Sequence, residues 1–218
     1  MEKLLTVKKI VCPSIEAAEV PAILDKAGVA FQPIDCVDWE ADYPYAPNVS
    51  FRLAHTGSSL LIEYKVEEDS VASVAGHDNG RVWEDSCCEF FSQPVAGGPY
   101  YNMECNCTGT LLIGCGPQRE GRELAPTSVL ESVKRWSSLG HEPFSERIGK
   151  TCWRMALIIP AEAFFRNAII GFDGMRMKGN FYKCGDHLQK PHFLSWNPIH
   201  VDRPDFHRPE FFGELVFE

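Results

Sequence analysis

Two stretches of this chain alternate apolar and polar side chains with a period of two, and that pattern constrains the fold more than any other feature. Leu60, Ile62, Tyr64 and Val66 interleave with Leu61, Glu63 and Lys65; Trp153, Met155, Leu157 and Ile159 interleave with Arg154, Ala156 and Ile158, ending at Pro160. A period of two sends successive side chains to opposite faces of a strand, so both stretches read as half-buried strands. Asn48 to His55, Trp83 to Ser92, Tyr100 to Leu112, Ile169 to Asp173 and Phe211 to Glu218 are further strand candidates between Gly, Pro, Asn and Asp turn signals. The pattern predicts a mainly all-β chain, an antiparallel, jelly-roll-like β-sandwich of roughly ten strands with a short N-terminal helix. No internal repeat or low-complexity linker divides residues 1–218, which are read as a single domain.

Helical spacing occurs in two places. Ser14 to Ala27 carries Ile15, Ala18, Ala22 and Ile23 near one face, with Ser14 as a cap and Gly28 as a stop, and Pro21 keeps it short or broken. Ser128-Val129-Leu130-Glu131 has the form of a capping box, with Val129, Val133 and Trp136 at helical spacing. Val133 to Leu139 reads equally as a strand, and strand is the reading favoured here.

Composition removes several function classes. The net charge of −9 opposes binding to a polyphosphate backbone, so no nucleic-acid partner is expected. No apolar run approaches the ~18 residues of a membrane span, and the first twenty residues lack a signal-peptide core, so the expectation is a cytoplasmic chain. Nine cysteines, an odd set without a CxxC pair, suit free buried thiols better than a disulfide framework.

The chemistry-bearing residues concentrate around Val82 to Thr108. In VWEDSCCEFF a regular strand puts Trp83, Asp85, Cys87 and Glu89 on one face, with Cys88 and Phe90 on the other. After the turn PVAGGP, the run YYNMECNCTG alternates Asn102, Glu104 and Asn106 with Tyr101, Met103, Cys105 and Cys107. A hairpin opposing Glu89 to Glu104 sets Cys87 against Asn106 and Phe91 against Asn102, so both polar sets share one face. Carboxylates and amides grip vicinal hydroxyls, and an indole accepts the C–H face of a pyranose, so the combination suits a small saccharide. The same alternation also describes an ordinary wet outer face. The last third, Met175 to Glu218, is dense in Gly, Pro, His and aromatics and reads mostly as extended loop; within it Trp196, before Asn197-Pro198, offers a second indole.

The ordered runs VWEDSCCEFF, YYNMECNCTG, WRMALIIPAEAF, KGNFYKCGD to SWNPI, and PDFHRPEFFGEL resemble the family 9 carbohydrate-binding modules, in particular their stand-alone family-9-like branch, over about Asn48 to Glu218. The resemblance implies a β-sandwich that binds a sugar without catalysis, often at a reducing end between two Trp side chains, with calcium as a structural ion. By motif position it implies Trp83 and Glu89 as the stacking Trp and its carboxylate, Trp196 as the second Trp, and Arg176 and Asn180 as further lining residues. It also implies calcium ligands such as Asp85 or Asp173, a role in carbohydrate catabolism, and a partner glycoside hydrolase. The chain departs from the pattern in having Glu84-Asp85 where an Asp pair is common, and no arginine in Thr108 to Leu112.

Two rival readings use the same residues differently. Glu89 and Glu104 opposed across a hairpin have Cβ atoms about 5 Å apart, the separation a retaining glycoside hydrolase uses between its carboxyl groups. Cys184, His187 and His192 form C-x2-H-x4-H, with Asp186, His200, Asp202, Asp205 and His207 nearby, a set of zinc-ligand types without finger spacing. No phosphate-binding glycine loop or nucleophile elbow is present.

Overall fold

A computed structural model describes residues 2–12 and 14–218, and its fourteen strands join into one curled sheet. In chain order the elements are β1 (Leu4–Lys9), α1 (Val20–Lys26), β2 (Gln32–Pro33), β3 (Cys36–Val37), β4 (Asn48–His55), β5 (Ser59–Ser73), β6 (Cys87–Gln93) and β7 (Tyr100–Asn106). They continue with β8 (Leu111–Gly116), β9 (Glu123–Leu124), α2 (Thr127–Ser132), β10 (Lys134–Ser137), β11 (Phe144–Pro160), β12 (Arg176–Cys184), β13 (Phe193–Ser195) and β14 (Gly213–Phe217). The lateral order is β10-β11-β5-β4-β1-β14-β12-β6-β7-β8-β9, with β2, β3 and β13 attached beside it.

The sandwich expected from the sequence is present, but its sheet is mixed. β1 pairs in parallel with β14 through Leu4 to Val7, then in parallel with β4 through Lys8 and Lys9, and so passes from one layer to the other. The other strand pairs among the described residues are antiparallel. This departs from the antiparallel expectation because β1 meets partners far away in sequence.

Between the layers lies the main core. Phe51, Ile62, Tyr64, Trp153 and Leu157 come from one side, and Phe90, Met103 and Phe181 from the other. Phe181 stacks on Phe51 at 3.6 Å and on Phe90 at 4.8 Å between ring centroids. Strands β5 and β11 are apolar on both faces because α1 covers the outer one, setting Val20 and Leu24 against Leu61 and Ala156. Pro21 lies in the first turn of α1, where its missing N–H leaves no helical bond unmade, and Gly28 ends the helix at φ +66°. The helix begins later than Ser14, after a 3₁₀ turn at Ala17–Glu19 where the Glu19 side chain accepts from the Glu16 N–H. A buried charge pair also spans the layers: Lys183 Nζ is 2.9 Å from Glu68 Oε2, and Trp153 Nε1 donates to Glu68 Oε1 at 2.7 Å.

Several element boundaries differ from the sequence reading. Residues 82–84 form a 3₁₀ turn and the strand starts at Cys87, while Tyr100 to Leu112 divides at a turn into β7 and the start of β8. Ile169 to Asp173 is irregular, and Met175 to Glu218, read mostly as loop, contains β12, β13 and β14. The ambiguous segment resolves into both alternatives: α2 is helical at Thr127–Ser132, and β10 follows within Val133 to Leu139. All nine cysteines are free.

Candidate functional site

The β6–β7 hairpin has the register that the alternation predicts, with Glu89 opposite Glu104, Cys87 opposite Asn106 and Phe91 opposite Asn102. Cys88 and Phe90 enter the main core, whereas Glu89 and Phe91 turn outward. That outward face is not wet: Glu89 is 2% exposed, Asn102 4% and Glu104 5%. Connecting segments fold over it and leave a cavity of about 340 Å³. This lies within the range of small-ligand pockets, about 300–1,000 Å³.

Trp83, Phe193 and Phe206 supply aromatic walls; Glu89, Asn102 and Glu104 line the cavity from the sheet. Arg119 and Arg122 reach in from the β8–β9 connection, and Asp186, Asp205 and His207 from the loops around β13. Trp83 stays half-exposed, on a turn fixed by Asp85, whose two oxygens accept from the Val74 and Ala75 N–H groups at 2.8 and 2.9 Å. The Trp83 carbonyl in turn accepts from the Asp186 N–H at 3.2 Å.

A chain of hydrogen bonds orients the polar side. Arg122 Nε donates to Asn102 Oδ1 at 2.7 Å, and Asn102 Nδ2 donates to Glu104 Oε1 at 2.8 Å. The Arg122 guanidinium also lies 4.2 Å from the Tyr100 ring centroid. Gly114 is needed beneath this chain, since a Cβ there would stand 2.6 Å from Asn102 Oδ1. Glu104 Oε2 is buried with no partner. Burial pushes the Glu104 carboxyl up to about 7 against the lowering effect of the Asn102 amide. Glu89 accepts from the Cys184 thiol at 3.0 Å, and burial together with the Glu104 charge holds it well above the ordinary carboxyl range. Burial raises Asp186 to about 6. It also depresses His207 to about 3, assisted by Arg122 and Arg119, leaving a neutral ring beside the Tyr100 hydroxyl.

Four of the eight residues expected at a site, Trp83, Glu89, Asn102 and Glu104, line this cavity. The other four do not. Trp196 is 2% exposed in the main core, edge-on to Phe51 and Phe181, and its ring leaves no room for a Cβ at Gly213, which would come 2.6 Å from Cζ3. The pair of facing indoles is therefore replaced by Trp83 with phenylalanine walls. Arg176 is exposed and pairs with Glu214. Asn180 is fully buried, donating to the Asn197 carbonyl and accepting from the Phe181 and Asn197 N–H groups. Asn106 donates to Asp85 and Ala75 and accepts from Thr108 and Thr110, so it fixes two turns. Arg119 and Arg122 went unread because they sit on an irregular segment, where period carries no signal; Asp186 and His207, read only as metal-ligand types, line the cavity instead.

The metal-ligand readings fare differently from one another. Cys184 faces Glu89, His187 is exposed beside Glu84, and the buried His192 contacts Lys183, so the three do not converge. Asp85 is saturated by N–H donors, and Asp173 is paired with Lys9 at 2.5 Å. Among the described residues neither carboxylate belongs to a cluster of three His, Cys, Asp or Glu side chains, whereas calcium takes about six to eight oxygen ligands.

A curled β-sandwich with a half-exposed indole, paired acids and oriented amides in one outer-face cavity defines a small-ligand-binding module. The chain belongs to carbohydrate-binding family 9, whose family model matches residues 18–217. It is similar to a candidate carbohydrate-binding protein of Bacteroides uniformis ATCC 8492, at 56% identity and TM-score 0.98 over 100% of both chains. It is also similar to a family 9 module of Caldicellulosiruptor kristjanssonii in complex with cellotriose, at 13% identity and TM-score 0.61, covering 99% of this chain and 94% of that one. Another structure of a family 9 module from that organism, with glucose, matches at 11% identity and TM-score 0.55 over 99% and 96% of the two chains. No curated protein matches this chain. Family membership supports carbohydrate binding without catalysis, and no finding supports hydrolysis by Glu89 and Glu104 or zinc binding by Cys184, His187 and His192.

Proposed function

We propose that the cavity binds a mono- or oligosaccharide, with Trp83 stacking on a pyranose ring and Glu104, Glu89, Asn102 and Arg122 meeting its hydroxyls. The observation that carries this reading is Glu104 Oε2, a buried acceptor with no partner in a cavity walled by a half-exposed indole. Such an atom loses its hydration on burial and is offset by a ligand hydroxyl that donates to it. The Asn102–Arg122 chain holds Glu104 in place, so the ligand meets an oriented group. Glucose- and cellotriose-bound structures of family 9 modules favour a small neutral sugar as the ligand class.

Calorimetry against a panel of mono- and oligosaccharides tests the reading. Trp83→Ala is expected to weaken binding tenfold or more while the protein stays folded. Unchanged affinity in the folded variant removes Trp83 from the site. We extend the proposal to a glycoside hydrolase that acts on the same sugar in carbohydrate catabolism, an association supported by family membership alone; co-elution with such an enzyme is its test.

A further inference from the structure

We infer that Cys87, Glu89 and Cys184 form a zinc-type metal site on the floor of the cavity. Cys87 and Cys184 are directly paired across β6 and β12, and Glu89 follows Cys87 by two positions, so all three side chains share the outward face. Their ligand atoms lie within 4.8 Å of one another, the one such set among the described residues. The Cys184 sulfur is already 3.0 Å from Glu89 Oε1. Zinc holds sulfur at about 2.3 Å and carboxylate oxygen at about 2.0–2.2 Å, which in a tetrahedron sets neighbouring ligand atoms roughly 3.5–4 Å apart. Side-chain adjustments of roughly an ångström separate the two arrangements.

Two further observations favour a metal over a set of merely packed thiols. Glu89 is nearly inaccessible, and its hydrogen-bonding partner among the described residues is a thiol, a weak donor for a buried carboxyl group. The Cys87 thiol has the neighbouring Cys88 carbonyl at 3.8 Å and the Cys184 sulfur beside it, both weak partners for a buried thiol. Lys183 alternates with Cys184 and contacts Glu68 and His192 in another network, so no ammonium occupies the ligand set. Glu89 and Cys184 line the cavity, which leaves the fourth position open to water, the arrangement of three protein ligands and one exchangeable one. Binding releases one proton from each thiol, and one from Glu89 where it is protonated; no oxidant or reductant is involved.

The test uses the reduced full chain with Zn²⁺ competing against a chromophoric chelator, and Co²⁺ as a spectroscopic reporter. One zinc per chain is expected, with sulfur-to-cobalt charge-transfer absorption from two thiolates. Cys87→Ser and Cys184→Ser are each expected to weaken zinc at least 100-fold, while Cys152→Ser, at an exposed thiol, leaves affinity unchanged. No metal bound at micromolar concentration, binding that survives Cys184→Ser, or binding lost in Cys152→Ser overturns the assignment. Should both site variants fail to fold, X-ray absorption on the wild-type zinc complex decides: two sulfur ligands support the site, and one or none overturns it. None of these readouts depends on whether a saccharide binds.

Discussion

Glu89 and Glu104 stand directly opposite each other across β6 and β7, buried together on the face that points away from the core. Burial out of water is the main reason both carboxyls shift upward, and the Glu104 charge adds to it at Glu89. The site thus holds chemistry that the fold would be more stable without.

Replacing Glu104 should show this as a pH-dependent gain. The carboxyl rises from an ordinary 4.5 to about 7 on folding, so the native state binds more protons than the unfolded chain between those values. Stability then falls as pH rises through that window and levels off above it. Glu104→Gln removes the term, and chemical denaturation at pH 8 is expected to give a variant more stable than wild type by on the order of 2 kcal/mol. The two proteins should converge near pH 4.5.

Saccharide affinity should follow the opposite direction. Glu104 accepts best from sugar hydroxyls when ionised, so on the proposed reading affinity falls as pH drops below about 7, and further as Asp186 protonates near 6. Calorimetry between pH 5 and 8 checks this, and a flat profile would exclude Glu104 from the contact.

The two indoles should separate cleanly. Trp196→Ala empties a sealed core position, and denaturant titration is expected to show a loss of about 3–5 kcal/mol. Trp83→Ala, on a half-exposed turn, should leave stability within about 1 kcal/mol.

Lys183 and Glu68 give a fourth measurement. Lys183→Met leaves a buried carboxylate without its counter-ion, a loss expected at about 3–5 kcal/mol. Adding Glu68→Gln neutralises the orphaned charge, so the double variant should recover part of that stability in the same assay.

Much of the sheet was legible because burial imprints parity on a strand. Asn48 to His55 coincides with β4, and the Glu89–Glu104 register followed from alternation on either side of PVAGGP. Trp196 was misread through its neighbours Asn197-Pro198, although Leu194 and Trp196 share parity and both enter the core, a signal present in FLSW itself. Arg122, Asp186 and His207 carried no periodic signal, being held by loops whose path depends on contacts distant in sequence. The parallel placement of β1 was hidden for the same reason, since its partners lie at residues 54–55 and 214–217.

That placement bears on how the protein is made. The first strand of the chain waits for the last, because Leu4 to Val7 zip against Glu214 to Phe217. A nascent polypeptide emerging from the ribosome holds an unclosed seam until residues 214–217 have been made, and long-range parallel pairing of this kind forms slowly. Until then the unpaired edges of β1 and β12, which flank the place of β14, invite contacts with neighbouring chains, making the interval before closure the protein's most vulnerable moment.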